Sequence, residues 1–213
     1  MHYDGKMVEE IGRRERKKQQ TRRTLLETAA RLFSERGYDA TGVADIAEAA
    51  DVTKRTFFLH FPTKEDVLLS DGPARVDLAM RLINDRAPEA PMREVLAEAV
   101  HAMIADTTSR DLPNGMAAMR ARLMVDSPTV QARILRTVFT GQARIAEALR
   151  AAYPETLDRT TAASVVGAVV GAVCAAAIAS LQDGETPEAT SAAMRQAAAI
   201  ALRALDANGT EPA

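Results

Sequence analysis

Residues 41–66, TGVADIAEAADVTKRTFFLHFPTKED, restrict the possible folds more than any other stretch, because two short helical patterns stand on either side of a tight turn. Ile46, Ala47 and Ala50 fall on one helical face, and Val52 supplies an apolar plug directly after Asp51, a residue type that tolerates left-handed backbone. Thr53 follows as an N-cap, since its hydroxyl can accept a hydrogen bond from the next turn's amides. On the second helix Phe57 is the apolar anchor toward the first, while Lys54, Arg55 and Thr56 occupy the N-terminal end and Phe58 and His60 continue the same surface. Pro62 lacks an amide hydrogen and stops that helix. Thr63 and Asp66, three apart, have the spacing of a capping box for a further helix, and Lys64 at its start is placed for a phosphate. The pattern is a helix-turn-helix, a motif whose second helix can carry short polar and cationic side chains to base edges and phosphates in a major groove.

Charge follows the same division. From Arg13 to Arg23 seven basic residues, Arg16 and Lys17 among them, face one acid, Glu15. Leu25, Ala29, Leu32 and Phe33 then recur at spacings of three and four, with Gly37 as a C-terminal cap, so this segment is a helix. A basic arm leading into a helix that supports a helix-turn-helix is the homeodomain-like layout. The whole chain, with 27 basic and 29 acidic residues, gives no hint of a nucleic-acid partner. Residues 13–64 alone hold 12 basic against 7 acidic side chains, a net +5, which leaves −7 for the remainder. Such a dipole would turn the N-terminal segment toward a polyanion and keep the rest away.

Residues 17–70, and in particular TRRTLLETAARLFSERGYDATGVADIAEAADVTKRTFFLHFPTKEDVLL, resemble the DNA-binding domain of the TetR family of transcriptional regulators. The resemblance implies a wholly helical homodimer that represses transcription from a double-stranded DNA operator and is released when a small molecule occupies the C-terminal domain. It places DNA contacts at Thr41 and the start of its helix, then at Thr53, Lys54, Arg55, Phe58, His60 and Lys64. Two positions depart from the family pattern: Gly42 stands where Ser or Thr is frequent, and Phe58 where a tyrosine hydroxyl would reach a phosphate. Glycine is an acceptable N-cap, whereas Phe58 keeps only packing against a sugar or a thymine methyl. The expected organisation is a flexible basic arm over 1–16, the DNA-binding domain over 17–64, a ligand-binding and dimerisation body over 65–206 and a tail over 207–213, with about nine helices in all.

Proline and glycine divide the body into helical segments without strand alternation or internal repeats. A long helix is expected from Lys64 toward Asn84, continuous with the recognition unit and so a natural lever between ligand and DNA. Further helices are expected over roughly 92–107, from Ser127–Pro128 to near Ala151, over 155–182, and from Thr186–Pro187 to 206. Residues 160–182 carry no charge, with Gly167 and Gly171 four apart, long enough for a membrane helix. A membrane-associated protein with a tethered helix-turn-helix is therefore the alternative reading. Small residues dominate that segment and no aromatic belt or basic cluster flanks it, which favours a buried protein helix and no membrane partner. By the resemblance the last two helices pair with their twins, with Val166 and Val170, then Met194, Ala198, Ala201, Leu202 and Leu205, as the expected dimer face.

Methionines and neighbouring apolar residues suggest a pocket for a hydrophobic or amphipathic effector: Met80, Ile83, His101, Met103, Met119, Leu123, Met124, Phe139 and Cys174, with His101 and Arg120 or Arg122 for a polar end. No nucleophile elbow, Walker loop or dinucleotide fingerprint occurs, and His2, His60 and His101 lack metal-ligand spacing. The expectation is a regulator without catalysis, cofactor or metal. One cysteine, Cys174, excludes an internal disulfide and fits the cytoplasm, and the N-terminus lacks the apolar core of a signal peptide.

Overall fold

The computed structural model describes the backbone of residues 4–207 and the side chains of 12–204. Within that range the chain is all-helical: α1 (Asp4–Arg36), α2 (Val43–Ala49), α3 (Lys54–His60), α4 (Lys64–Leu68), α5 (Gly72–Asn84), α6 (Met92–Arg110), α7 (Met116–Asp126), α8 (Pro128–Ala152), α9 (Arg159–Gln182) and α10 (Pro187–Ala207). They form two compact units, Met1–Leu68 and Leu69–Ala213.

In the N-terminal unit the 3.6-residue pattern of α1 puts Leu25, Ala29, Leu32 and Phe33 against Ile46, Ala47, Phe57, Phe61, Val67 and Leu68, all buried. Full burial of Phe33, Phe57 and Phe61 stabilises the unit by about 1.5–3 kcal/mol each. Gly37, at φ +86°, ends α1 with its amide on the Phe33 carbonyl. The basic stretch expected as a flexible arm is part of α1, which reaches back to Asp4. Its Arg, Lys, Glu and Gln residues are good helix formers, and the exposed side chains of Arg13–Lys18 face no core that would demand another conformation. Residues 1–3 of that arm, and all of the expected tail but Ala207, lie outside the described residues.

The turn of the helix-turn-helix is a Schellman motif. The amide of Val52 donates to the Ala47 carbonyl (2.9 Å) and that of Asp51 to the Glu48 carbonyl (3.0 Å), with Asp51 in the left-handed region at φ +53°. A glycine there carries no Cβ penalty, so Asp51→Gly is expected to stabilise the folded chain by about 0.5–1 kcal/mol, read as a raised urea midpoint.

The expected single helix over 64–84 is two, α4 and α5, separated at residues 69–71. Pro73 is the cause: it has no amide to donate to the Leu69 carbonyl, and its ring would collide with that carbonyl in a continuous helix. It sits instead in the first turn of α5, where the missing donor costs nothing. The proposed lever is therefore not an unbroken rod.

The C-terminal unit is a bundle of α5–α10 around Val76, Ala79 and Ile83, then Leu96, Val100 and Ile104, Ile145 and Leu149, Val165, Val166 and Val169, and Met194, Ala198 and Leu202. Its helices begin where the cap signals stand: the Ser127 hydroxyl accepts from Val130, Asp158 from Thr161 (2.6 Å) and Thr186 from Ala189 (3.2 Å). Helices α5 and α8 run parallel and approach closely at Gly141, where an added Cβ would lie 2.9 Å from Val76 Cγ2. Gly141→Val is expected to wedge the two helices apart and cost about 1–3 kcal/mol, measured by chemical denaturation.

Candidate nucleic-acid interface

Three local devices set the recognition helix α3. At its start the Thr53 hydroxyl accepts from the Thr56 amide (3.1 Å) and shares a 2.9 Å hydrogen bond with the Thr56 hydroxyl. At its middle Phe57 is fully buried. At its end Arg22 of α1 donates from Nη1 to the His60 carbonyl (3.1 Å), and its guanidinium lies 4.3 Å from the centroid of the Phe61 ring. The clamp satisfies a carbonyl that the helix terminus leaves open and places a cation on a π face. Burial, then the charges of Arg22 and Lys18, hold the His60 imidazolium below its usual range, so His60 is neutral near pH 7.

The helix after α3 is fixed as firmly. Thr63 and Asp66 form the reciprocal capping box, with the Thr63 amide on Asp66 Oδ2 (2.9 Å) and the Asp66 amide on the Thr63 hydroxyl (3.3 Å). Tyr38 donates to Glu65 (2.7 Å), and burial together with that bond pushes the phenol far above its ordinary range, so it remains a donor. Burial opposes charge on Glu65, yet the Tyr38 bond and further donors hold its carboxyl below the usual value.

The side chains expected to meet DNA separate into two groups. Lys54, Arg55 and Phe58 are exposed on one face of α3, Thr56 and His60 are half-buried beside it, and Arg16 and Lys17 are exposed on α1. Gly42 caps α2 through its backbone, whose amide donates to Asp45 (2.7 Å). One expectation is corrected. Thr41 is wholly buried and its hydroxyl is used on the carbonyls of Gly37 (2.8 Å) and Leu32 (3.3 Å), closing the end of α1. Lys64 is half-buried and donates to the Tyr38 carbonyl (2.8 Å) with its ammonium 3.9 Å from the Tyr38 ring centroid. Arg22, Tyr38 and Glu65 were missed; for Arg22 the only sequence signal is its place in the basic run.

The C-terminal unit scatters the expected pocket residues. Met80 and Phe139 line a groove of about 750 Å³ between α5 and α8, with Asn84, Ala143, Arg144 and Ala148. Ile83 and Leu123 are buried core, Met103, Met119, Met124 and Cys174 are half-buried, and His101 is exposed on α6. Burial pushes the Cys174 thiol up, against a smaller opposite pull from Arg75. Neither arginine suggested for a polar end is available there: Arg120 is bound to Asp111, and exposed Arg122 pairs with Asp126 (3.2 Å). Asp111, 2% exposed, lies between Arg120 and Arg75, whose Nη1 is 3.0 Å away, while Asp106 joins Arg110 at 2.9 Å.

The residues expected on the dimer face lie mostly inside the bundle. Val166, Met194, Ala198, Ala201 and Leu202 face the bundle's own core and Val170 packs against it, because they are the most apolar stripes of α9 and α10. The Leu205 side chain lies outside the described residues. The opposite stripe of α9, Ser164, Ala168, Gly171, Ala175 and Ala179, is exposed, and a Cβ added at Gly167 or Gly171 would meet nothing within 4 Å. This helix is thus only partly buried, and it is long and apolar enough to cross a membrane.

Comparison with known proteins agrees with the geometry. The family described as bacterial regulatory proteins, tetR family, matches residues 25–70. The HTH-type transcriptional regulator TcmR of Streptomyces glaucescens is 32% identical over 150 residues, 69% of this chain and 66% of that one. The match spans smaller shares, 16% and 29%, of two Bacillus subtilis regulators. Among solved structures, a TetR-family regulator from Syntrophomonas wolfei superposes with a TM-score of 0.67 at 14% identity, covering 90% of this chain and 97% of that one. Thermus thermophilus FadR, solved in complex with lauroyl-CoA, gives 0.56 at 20% identity, covering 85% and 93%. Both likenesses speak for the fold.

Proposed function

The chain belongs to the TetR family of bacterial regulatory proteins, and from that premise we propose that it is a cytoplasmic DNA-binding transcriptional regulator, a homodimeric repressor of an inverted-repeat operator that a hydrophobic or amphipathic molecule releases. Its role is regulatory, without catalysis. The observation that carries the reading is α3 itself: a helix capped by Thr53 and clamped by Arg22, with Lys54 and Arg55 turned outward inside a segment of net charge +5. Cations so held neutralise phosphates and reach guanine edges. Arg16 and Lys17 extend the positive surface along α1, and Gly42 at the start of α2, its own amide held by Asp45, puts no side chain in the way of a close backbone approach. Thr56, Phe58 and His60 border the same face.

One seven-residue helix offers too few base contacts to single out an operator, so two copies are needed, set roughly 34–36 Å apart to enter successive major grooves. The exposed small-residue stripe of α9, with Ile200 on α10 at 53% exposure, is the surface we assign to the second copy. Alanine, glycine and serine allow close helix approach but give lipid little to solvate. A dimer in detergent-free gel filtration supports this assignment, and a chain that requires detergent restores the membrane reading.

The effector class rests on the groove beside Met80 and Phe139, where an aromatic ring 65% exposed and an adaptable thioether meet a rim of Asn84 and Arg144. FadR of Thermus thermophilus holds lauroyl-CoA, an amphipathic molecule of this kind. An acyl-CoA that binds there raises the melting temperature, and Phe139→Ala removes the rise; an unchanged melting curve removes acyl-thioesters from consideration. For DNA, gel shifts with the sequence flanking the protein's own gene are expected to weaken by about 1–3 kcal/mol in Arg55→Ala. Unaltered binding takes Arg55 out of the reading set.

A further inference from the structure

The outward face of α3 carries a residue that the charge pattern does not explain. Leu59 is 72% exposed, with Phe58 at 52% beside it, and both stand among the outward side chains of Lys54 and Arg55. Helical spacing puts residues 54, 55, 58 and 59 on one continuous arc, while Phe57 and Phe61 take the buried arc. The hydrogen-bonding side chains on either flank are less free to read bases: the Thr56 hydroxyl is shared with Thr53, and neutral His60 is half-buried. An apolar side chain at the edge of this arc, beside Arg55, has one complementary group among the base edges of the major groove, the C5-methyl of thymine. Phe58 already makes an edge-to-face contact with Phe57, ring centroids 5.6 Å apart, and so has a packing role of its own. Leu59, exposed, has no core role to account for it.

Resting on the regulator reading above, we propose that Leu59 is a specificity-determining residue that packs on a thymine C5-methyl, so that each operator half-site carries a thymine beneath α3. Lys54 and Arg55 position the helix on the polyanion, and the leucine supplies sequence information that phosphate contacts cannot. An apolar contact of this kind is sensitive to a single methyl group, since burial of one such carbon changes affinity by about fourfold.

The test begins with selection of a bound site from random duplexes by the full-length protein. Each thymine of the selected site is then replaced by uracil, which removes the methyl and nothing else, and affinity is measured for the wild type and for Leu59→Ala. One thymine position in each half-site is expected at which uracil weakens wild-type binding about 3- to 10-fold, while Leu59→Ala binds the thymine and uracil duplexes equally. Leu59 is exposed, so the variant is expected to melt with the wild type, which separates a lost contact from a lost fold. A penalty that persists unchanged in Leu59→Ala, or a half-site in which no thymine methyl matters, overturns the assignment of Leu59 and leaves the regulator reading intact. If selection enriches no sequence at all, both fail.

Discussion

Replacing Asp111 with alanine is expected to lower stability by about 3–5 kcal/mol, one of the two largest effects foreseen for this chain. Asp111 is 2% exposed and carries the charge that holds Arg75 of α5 and Arg120 of α7 together at the end of α6. The Nη1 of Arg75 lies at ion-pair distance but off the line of a hydrogen bond, so the carboxylate's charge is what matters there. Without it two guanidinium groups remain near each other with only Asp106, 3.6 Å from Arg75, and Asp71 to offset their charge. Burial lowers the pKa of Arg120 and the Asp111 carboxylate pulls it back up. Asp71 adds to the cluster: burial, then the charge of Asp111, raises its carboxyl pKa. A urea melt shows the loss as a lower midpoint with an unchanged slope. Asn at position 111 keeps the shape and removes the charge, so it is expected to fall nearly as far; full stability in D111N would mean that packing, and not charge, holds this corner.

The second large effect is expected at Arg22. Its guanidinium joins α1 to the end of α3 by a charged hydrogen bond to the His60 carbonyl and by its stack on Phe61. Arg22→Ala removes both, with an expected cost of about 3 kcal/mol, since a hydrogen bond to a charged group contributes about 1.5–3 and a desolvated cation–π contact up to about 2. Arg22→Lys keeps the charge but not the planar fork, and is expected to recover only part of that stability. DNA affinity is the more telling readout. Because the clamp fixes the recognition helix, Arg22→Ala is expected to weaken operator binding at least tenfold at a temperature where the variant is still folded, without flattening its salt dependence. A shallower salt slope would instead make Arg22 a phosphate contact.

Local chemistry was legible in the sequence wherever one residue determined one backbone state. Asp51 takes the left-handed position, Thr53 caps α3, Gly37 ends α1, and Thr63 and Asp66 close their capping box. Each depends on neighbours within four residues. Side-chain destinations were harder to read. Lys64 stands at a helix start, and the fold brings the Tyr38 carbonyl to it from 26 positions away. Thr41 looks like a helix-start contact until its hydroxyl is found on the carbonyls that end α1. The expected dimer stripe takes the most apolar faces of α9 and α10, and in a bundle those are the faces the chain itself buries first, leaving small residues of α9 exposed. Pro73 was the missed punctuation: alone among these, the break between α4 and α5 stands in the sequence as a residue that cannot continue a helix.

The claim on which the account rests is that two copies of α3 hold one symmetric duplex. Sedimentation equilibrium of the full-length protein with a selected inverted repeat, and with a single half-site, tests it directly across a range of salt. The account predicts two chains per repeat, tight binding that falls steeply with salt, and a half-site bound weaker by orders of magnitude. A single chain per duplex, with equal affinity for repeat, half-site and random competitor, would contradict it.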